Sequence, residues 1–168
     1  MNFVSKGTDL ETLEKLSIDD PRRRRLPPLL RKAWLKLNAV FLRRITDLGL
    51  TPDQYIALRW LQEKEPGLTQ RELSDFMASD PNTIASLLSR MEKAGWIRRS
   101  TRKEDRRTNN VLSTKAGRKI FEAARGRALD LERNALEVLS KREQASFLDS
   151  LEKVAEACIR SSDTKTKG

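Results

Sequence analysis

The sequence predicts a mainly α-helical chain of about six helices with a two-stranded β-hairpin after the fourth. Three observations carry this. Apolar residues recur at spacings of three and four through most of the chain, the period of a helix with one buried face. Helix-start signals recur along it: Thr51-Pro52-Asp53-Gln54, Thr69 with Glu72, Asp80-Pro81, and Ser140 with Glu143. The periodicity breaks once, after Gly95, where Trp96-Ile97-Arg98-Arg99-Ser100-Thr101 and Asn110-Val111-Leu112-Ser113 read as short strands around a charged turn.

Taken in order, residues 1–27 form an arm of scattered charges that ends in the cluster Arg22-Arg23-Arg24-Arg25. Pro27 and Pro28 fix the backbone and let the first helix start just afterwards. In it Leu30, Trp34, Leu37, Phe41, Ile45 and Leu48 make one apolar stripe that Gly49 ends. The second helix opens at Thr51, which can cap it while Gln54 reaches back, and closes before Pro66-Gly67. A short third helix follows Thr69, and Asp80-Pro81 opens the fourth only a few residues later. Beyond the hairpin, a long fifth helix carries Ile120, Ala124, Ala128, Leu131, Ala135 and Val138 in register. A last helix from Ser140 carries Phe147, Leu148, Leu151, Val154 and Cys158, and residues 159–168 read as a flexible tail.

Composition narrows the function classes. At 168 residues the chain suits a single fold unit. No apolar run reaches the roughly 20 residues that span a bilayer, and no secretory leader is recognisable, which predicts a cytoplasmic protein without a membrane partner. One cysteine, Cys158, permits no intrachain disulfide. There is no histidine, so the commonest general base and zinc ligand are both missing. With no phosphate-cradling glycine loop and no nucleophile paired to a base, the sequence predicts neither an enzyme nor a cofactor or metal site.

The formal charge of +10 calls for a polyanionic partner, and its distribution is uneven. Residues 22–44 hold nine Lys or Arg and no acid, residues 68–117 hold ten against six acids, and residues 1–21 hold two against five. On the fourth helix Ile84, Leu87, Leu88 and Met91 share one face, whereas Asn82, Ser86 and Arg90, spaced by four, share the other. Short hydrogen-bonding side chains near a helix start suit base edges in the major groove: Asn can pair bidentately with adenine and Arg with guanine. The hairpin tip, Arg102-Lys103-Glu104-Asp105-Arg106-Arg107, is crowded with cations suited to the minor groove and phosphates, with Asp105 placed to orient Arg107. Double-stranded DNA is therefore the expected partner.

These residues resemble the multiple-antibiotic-resistance regulator (MarR) family of winged helix-turn-helix proteins. The resemblance lies in Leu50-Thr51-Pro52-Asp53-Gln54-Tyr55, Leu68-Thr69-Gln70-Arg71-Glu72-Leu73, Asp80-Pro81-Asn82-Thr83 and the run from Arg90 to Arg99. It continues in Asp105-Arg106-Arg107 and in Leu112-Ser113-Thr114-Lys115-Ala116-Gly117. It implies a single domain over 28–158, with a winged unit at 51–117 and dimerisation helices at 28–48 and 118–158. It further implies a homodimer on a near-palindromic site, with Pro81, Asn82, Thr83, Ser86 and Arg90 at the major groove. At the wing it implies Arg107 in the minor groove, oriented by Asp105, and Arg102, Lys103 and Arg106 beside phosphates. A small aromatic or phenolic effector is implied as well, in a pocket to which Trp34, Tyr55, Arg59 and Trp60 are the candidates. For those four a purely structural role, aromatics in the core and Arg59 on the surface, fits equally. Arg22, Arg23, Arg24 and Arg25 either grip phosphates flanking the site or are simply solvated. Set against sequence-specific regulation is a sequence-neutral architectural protein, which the net charge would also serve.

Overall fold

The computed structural model describes residues 15, 20, 26–64, 66–101 and 109–163. The cluster Arg22 to Arg25 and the wing-tip residues Arg102, Lys103, Asp105, Arg106 and Arg107 lie outside the described residues. Six α-helices and three strands follow one another among those described: α1 (Leu26–Ile45), α2 (Pro52–Glu63), β1 (Leu68–Thr69), α3 (Gln70–Phe76), α4 (Pro81–Lys93), β2 (Ile97–Thr101), β3 (Asn109–Ser113), α5 (Lys115–Leu136) and α6 (Lys141–Asp163).

Local chemistry sets the boundaries. α1 starts at Leu26, so Pro27 and Pro28 sit inside its first turn rather than before it. Amides of that turn have no intrahelical acceptor, and proline loses nothing there. A single 3₁₀ turn, Thr46–Leu48, extends α1 until Gly49 reverses the chain at φ 67°. Reciprocal caps open α2 and α3: the Gln54 amide donates to Thr51 Oγ1 at 3.3 Å and the Glu72 amide to Thr69 Oγ1 at 3.1 Å. Their partners' backbone amides donate back to Gln54 Oε1 at 2.9 Å and Glu72 Oε2 at 2.7 Å. At the other end of the chain α6 runs to Asp163, so residues 159–163, expected in a tail, are helical.

The hairpin has one strand more than the sequence predicts. β2 and β3 pair antiparallel with Ile97 opposite Ser113 and Thr101 opposite Asn109. Leu68 and Thr69 then add a third strand along β3, opposite Val111 and Asn110, giving the order β1-β3-β2. Two residues are too few to show the alternation by which a strand is read from sequence. Thr69 thus serves both as the last strand residue and as the cap of α3.

The core lies under this sheet. Leu58, Leu61, Leu73, Ile84, Leu88, Met91, Ile97 and Val111 form its centre, and Phe41, Ile45, Leu50, Phe121, Ala124 and Leu131 extend it between α1 and α5. Two junctions hold the winged part to the long helices. Thr114 Oγ1 accepts from the Gly117 amide at 3.0 Å and lies 2.7 Å from the Gly95 carbonyl, while the Thr114 amide donates to Trp96 O at 3.0 Å. Arg127 of α5 donates to both carboxylate oxygens of Asp47, through Nη2 at 2.9 Å to Oδ2, and to the Arg44 carbonyl.

The flanking helices are different in kind. The first half of α1 leaves Leu26, Leu29, Leu30, Trp34 and Leu35 exposed, and none of residues 141–160 of α6 is buried in the single chain. Phe147, Leu148, Leu151 and Ile159 are all exposed there.

Candidate nucleic-acid interface

The α3–turn–α4 unit positions the predicted reading edge. Asp80 caps α4, its Oδ1 accepting from the Asn82 and Thr83 amides at 3.0 and 2.9 Å. Hydrogen bonds from Thr83, then from the backbone, hold the Asp80 carboxyl below its ordinary range, so it is an anion at neutral pH. That anion already meets the positive end of the α4 dipole. Contacts from α4 to a polyanion must therefore come from side chains along its edge, not from the amides of its first turn. Gln70 Nε2 donates to the Pro81 carbonyl at 3.2 Å and so ties the start of α3 to the start of α4. Nothing in the sequence singles out Gln70, because its partner is a backbone atom across a turn.

The two faces of α4 separate as the periodicity predicts. Ile84, Leu88 and Met91 are wholly buried and Leu87 nearly so. Pro81, Asn82, Thr83, Ser86 and Arg90 are all exposed. With four apolar side chains fixed in the core, α4 cannot roll, so its outer edge is a rigid row. At the other end of the helix Glu92 accepts from Arg99 of β2 at 3.2 Å, linking α4 to the sheet. The wing tip, residues 102–108, lies outside the described residues.

The four residues predicted for a small-molecule pocket do not come together. A groove of about 510 Å³ opens between α2 and α5, lined by Tyr55, Arg59 and Gln62 from α2 and by Phe121, Arg125 and Glu132 among others from α5. Trp34 is not in this lining; it stands half-exposed on the free part of α1. Trp60 is absent from it too and stacks on Phe76 with centroids 4.7 Å apart. Helical geometry explains the split: residues 55 and 59 share a face, whereas residue 60 points a further 100° around. Tyr55 is stacked on Phe121 at 5.2 Å and meets Phe41 edge-on at 5.0 Å. Burial raises the Tyr55 phenol above its usual value near 10, so it is neutral at pH 7. None of the four predicted pocket residues comes from the α5 side of the groove. Its signal was available, since residues 121, 125, 128 and 132 lie at spacings of four, three and four.

Comparison with known proteins gives this geometry a family. The model of the MarR family matches residues 50–108, from the start of α2 through the wing. Transcriptional regulator HosA of Escherichia coli O111:H- is 34% identical over 108 residues, covering 64% of this chain and 79% of HosA. The chain belongs to the MarR family. Solved structures extend the likeness beyond the winged unit. A probable transcriptional regulator from Pseudomonas aeruginosa matches with a TM-score of 0.71 at 34% identity, covering 78% of this regulator and 97% of that chain. The PcaV transcriptional regulator from Streptomyces coelicolor, crystallised with its natural ligand, matches with a TM-score of 0.69 at 26% identity, covering 80% and 94% of the two chains. The MarR-family fold predicted from the sequence, mainly helical with a winged helix-turn-helix, is the fold observed, with β1 as its added strand. Among the described residues no helix is long and apolar enough to cross a membrane.

Proposed function

We propose that this MarR-family regulator is a cytoplasmic homodimer that binds a near-palindromic duplex site, occupies a promoter there, and is released by a small aromatic effector. The observation that carries this reading is the division of α4 into a fixed apolar inner face and an exposed polar edge. Asn82 and Arg90 discriminate bases, Pro81, Thr83 and Ser86 pack beside them in the major groove, and each good bidentate contact is worth about 1–3 kcal/mol of discrimination. At the wing, Arg107 enters the minor groove with Asp105 orienting it, and Arg102, Lys103 and Arg106 meet phosphates. Arg22 to Arg25 meet phosphates flanking the site. The residues from 28 to 158 act as one domain.

Dimerisation is supported by the unburied apolar faces of α1 and α6. Leu30, Trp34 and Leu35 on one and Phe147, Leu148 and Leu151 on the other are exposed in the single chain. Exposed apolar helix faces of this kind mark an interface. Pairing through these helices places two α4 edges at a fixed separation, the geometry an inverted repeat requires. A small-molecule effector is supported by the groove beside Tyr55 and by the natural ligand held in PcaV.

The test is to exchange the edge. Asn82→Ala and Arg90→Ala should each relax base preference at particular positions of the site, read as affinity against a panel of single-base variants. A uniform loss across the panel, including unrelated duplex, would assign both residues to phosphates and remove base reading from α4.

A further inference from the structure

The groove between α2 and α5 runs against the charge of the molecule around it. The chain carries a net +10. The groove lining holds two arginines, Arg59 and Arg125, against three glutamates, Glu63, Glu122 and Glu132. Both arginines are already engaged. Arg59 Nε donates to Glu63 Oε1 at 2.7 Å, one helical turn away, and Arg125 Nη1 to Glu122 Oε2 at 3.4 Å. Glu132 makes no ion pair among the described residues, and its field reaches both the Tyr55 phenol and the Arg59 guanidinium.

An entering carboxylate would have to share an arginine with that arginine's own glutamate while facing Glu132. That glutamate would stay beside it as a second repelling charge. A cation meets the opposite conditions. Glu132 attracts it, and the neutral Tyr55 hydroxyl can accept a hydrogen bond from an ammonium. A groove of about 510 Å³ is large enough for a bicyclic ring.

We infer that the groove selects a cationic aromatic ligand, a planar ring bearing a protonated amine, over an aromatic carboxylate of the same size. This rests on the proposed effector role of the groove and narrows it to one charge class. At roughly 6 Å in a water-like dielectric, replacing a negative by a positive ligand charge opposite a single carboxylate changes Kd by about tenfold.

The experiment titrates the full-length regulator calorimetrically with 2-naphthylmethylamine, 2-naphthamide and 2-naphthoate. The amine should bind about tenfold more tightly than the naphthoate, with the amide between them. Glu132→Gln, at an exposed helix position, should remove that gap, bringing the amine and the naphthoate within about twofold of each other, while leaving the thermal midpoint and duplex affinity unchanged. A preference for naphthoate would overturn the charge selection and leave the effector role standing. An amine preference untouched by Glu132→Gln would overturn the assignment to this groove. Binding of none of the three would overturn the effector role itself.

Discussion

A Cβ at position 117 would lie 2.0 Å from the Trp96 carbonyl oxygen. Only hydrogen fits there, because the first turn of α5 closes directly onto the end of the α4–β2 turn. Gly117→Ala should therefore cost about 3 kcal/mol, the upper end for overpacking, since a backbone atom and not a flexible side chain has to move. Urea denaturation would read it, and a change under 1 kcal/mol would mean that the junction is soft. Thr69→Ala removes one half of a reciprocal cap and should cost about 1 kcal/mol by the same measurement. At the wing, Arg107→Ala is expected to weaken duplex binding with the denaturation midpoint unchanged; an unaltered affinity would take Arg107 out of the proposed mechanism. Single residues were legible in the sequence where their partners are local. Thr51, Thr69, Asp80 and Ser140 announce their caps within three positions, and all four caps are formed. Gln70, Arg127 and Gly117 were not legible, because their partners come from distant segments or from the backbone.

The helices differ in how far their own chain satisfies them. α4 buries its apolar face completely, whereas α6 buries no residue from 141 to 160. A 23-residue helix with Phe147, Leu148 and Leu151 in water is a half-built interface. Leu151→Glu should convert the homodimer to monomer in analytical ultracentrifugation and abolish tight binding to an inverted repeat. A dimer that survives this change would move the interface elsewhere. The link between α1 and α5 has a pH signature. Arg127, by hydrogen bond and charge, holds the Asp47 carboxyl below its ordinary value of 3.8. The folded pKa is the lower one, so the stabilisation is full above the unfolded value and is lost as pH falls through the folded value. Asp47→Asn should flatten part of the stability decline below about pH 4, and an identical acid limb would mean that the pair contributes nothing. Helix positions were readable from period alone. β1 was not, because two residues carry no period, and the α5 wall of the groove was not, because the stripe through Ile120, Ala124, Ala128 and Leu131 points to packing and not to a ligand.

Across the whole molecule the surplus of positive charge and the paired geometry carry separate parts of the account. Charge sets affinity and its steep salt dependence, with a slope of about −0.9 for each phosphate neutralised, and Arg22 to Arg25 should add to that slope. In the proposed function, sequence preference comes from somewhere else: two rigid α4 edges at a separation set by pairing through the flanking helices. The sequence conveyed the first through composition and the second only through its family resemblance, since the spacing of two copies is written in no local pattern. Selection of binding sites from a pool of random duplexes at a stated salt concentration tests the central claim most directly. The account predicts an inverted repeat whose half-sites are centred about one helical turn, roughly 10 base pairs, apart. A featureless pool, bound as tightly as any selected site, would contradict it and leave a protein that coats DNA without reading it.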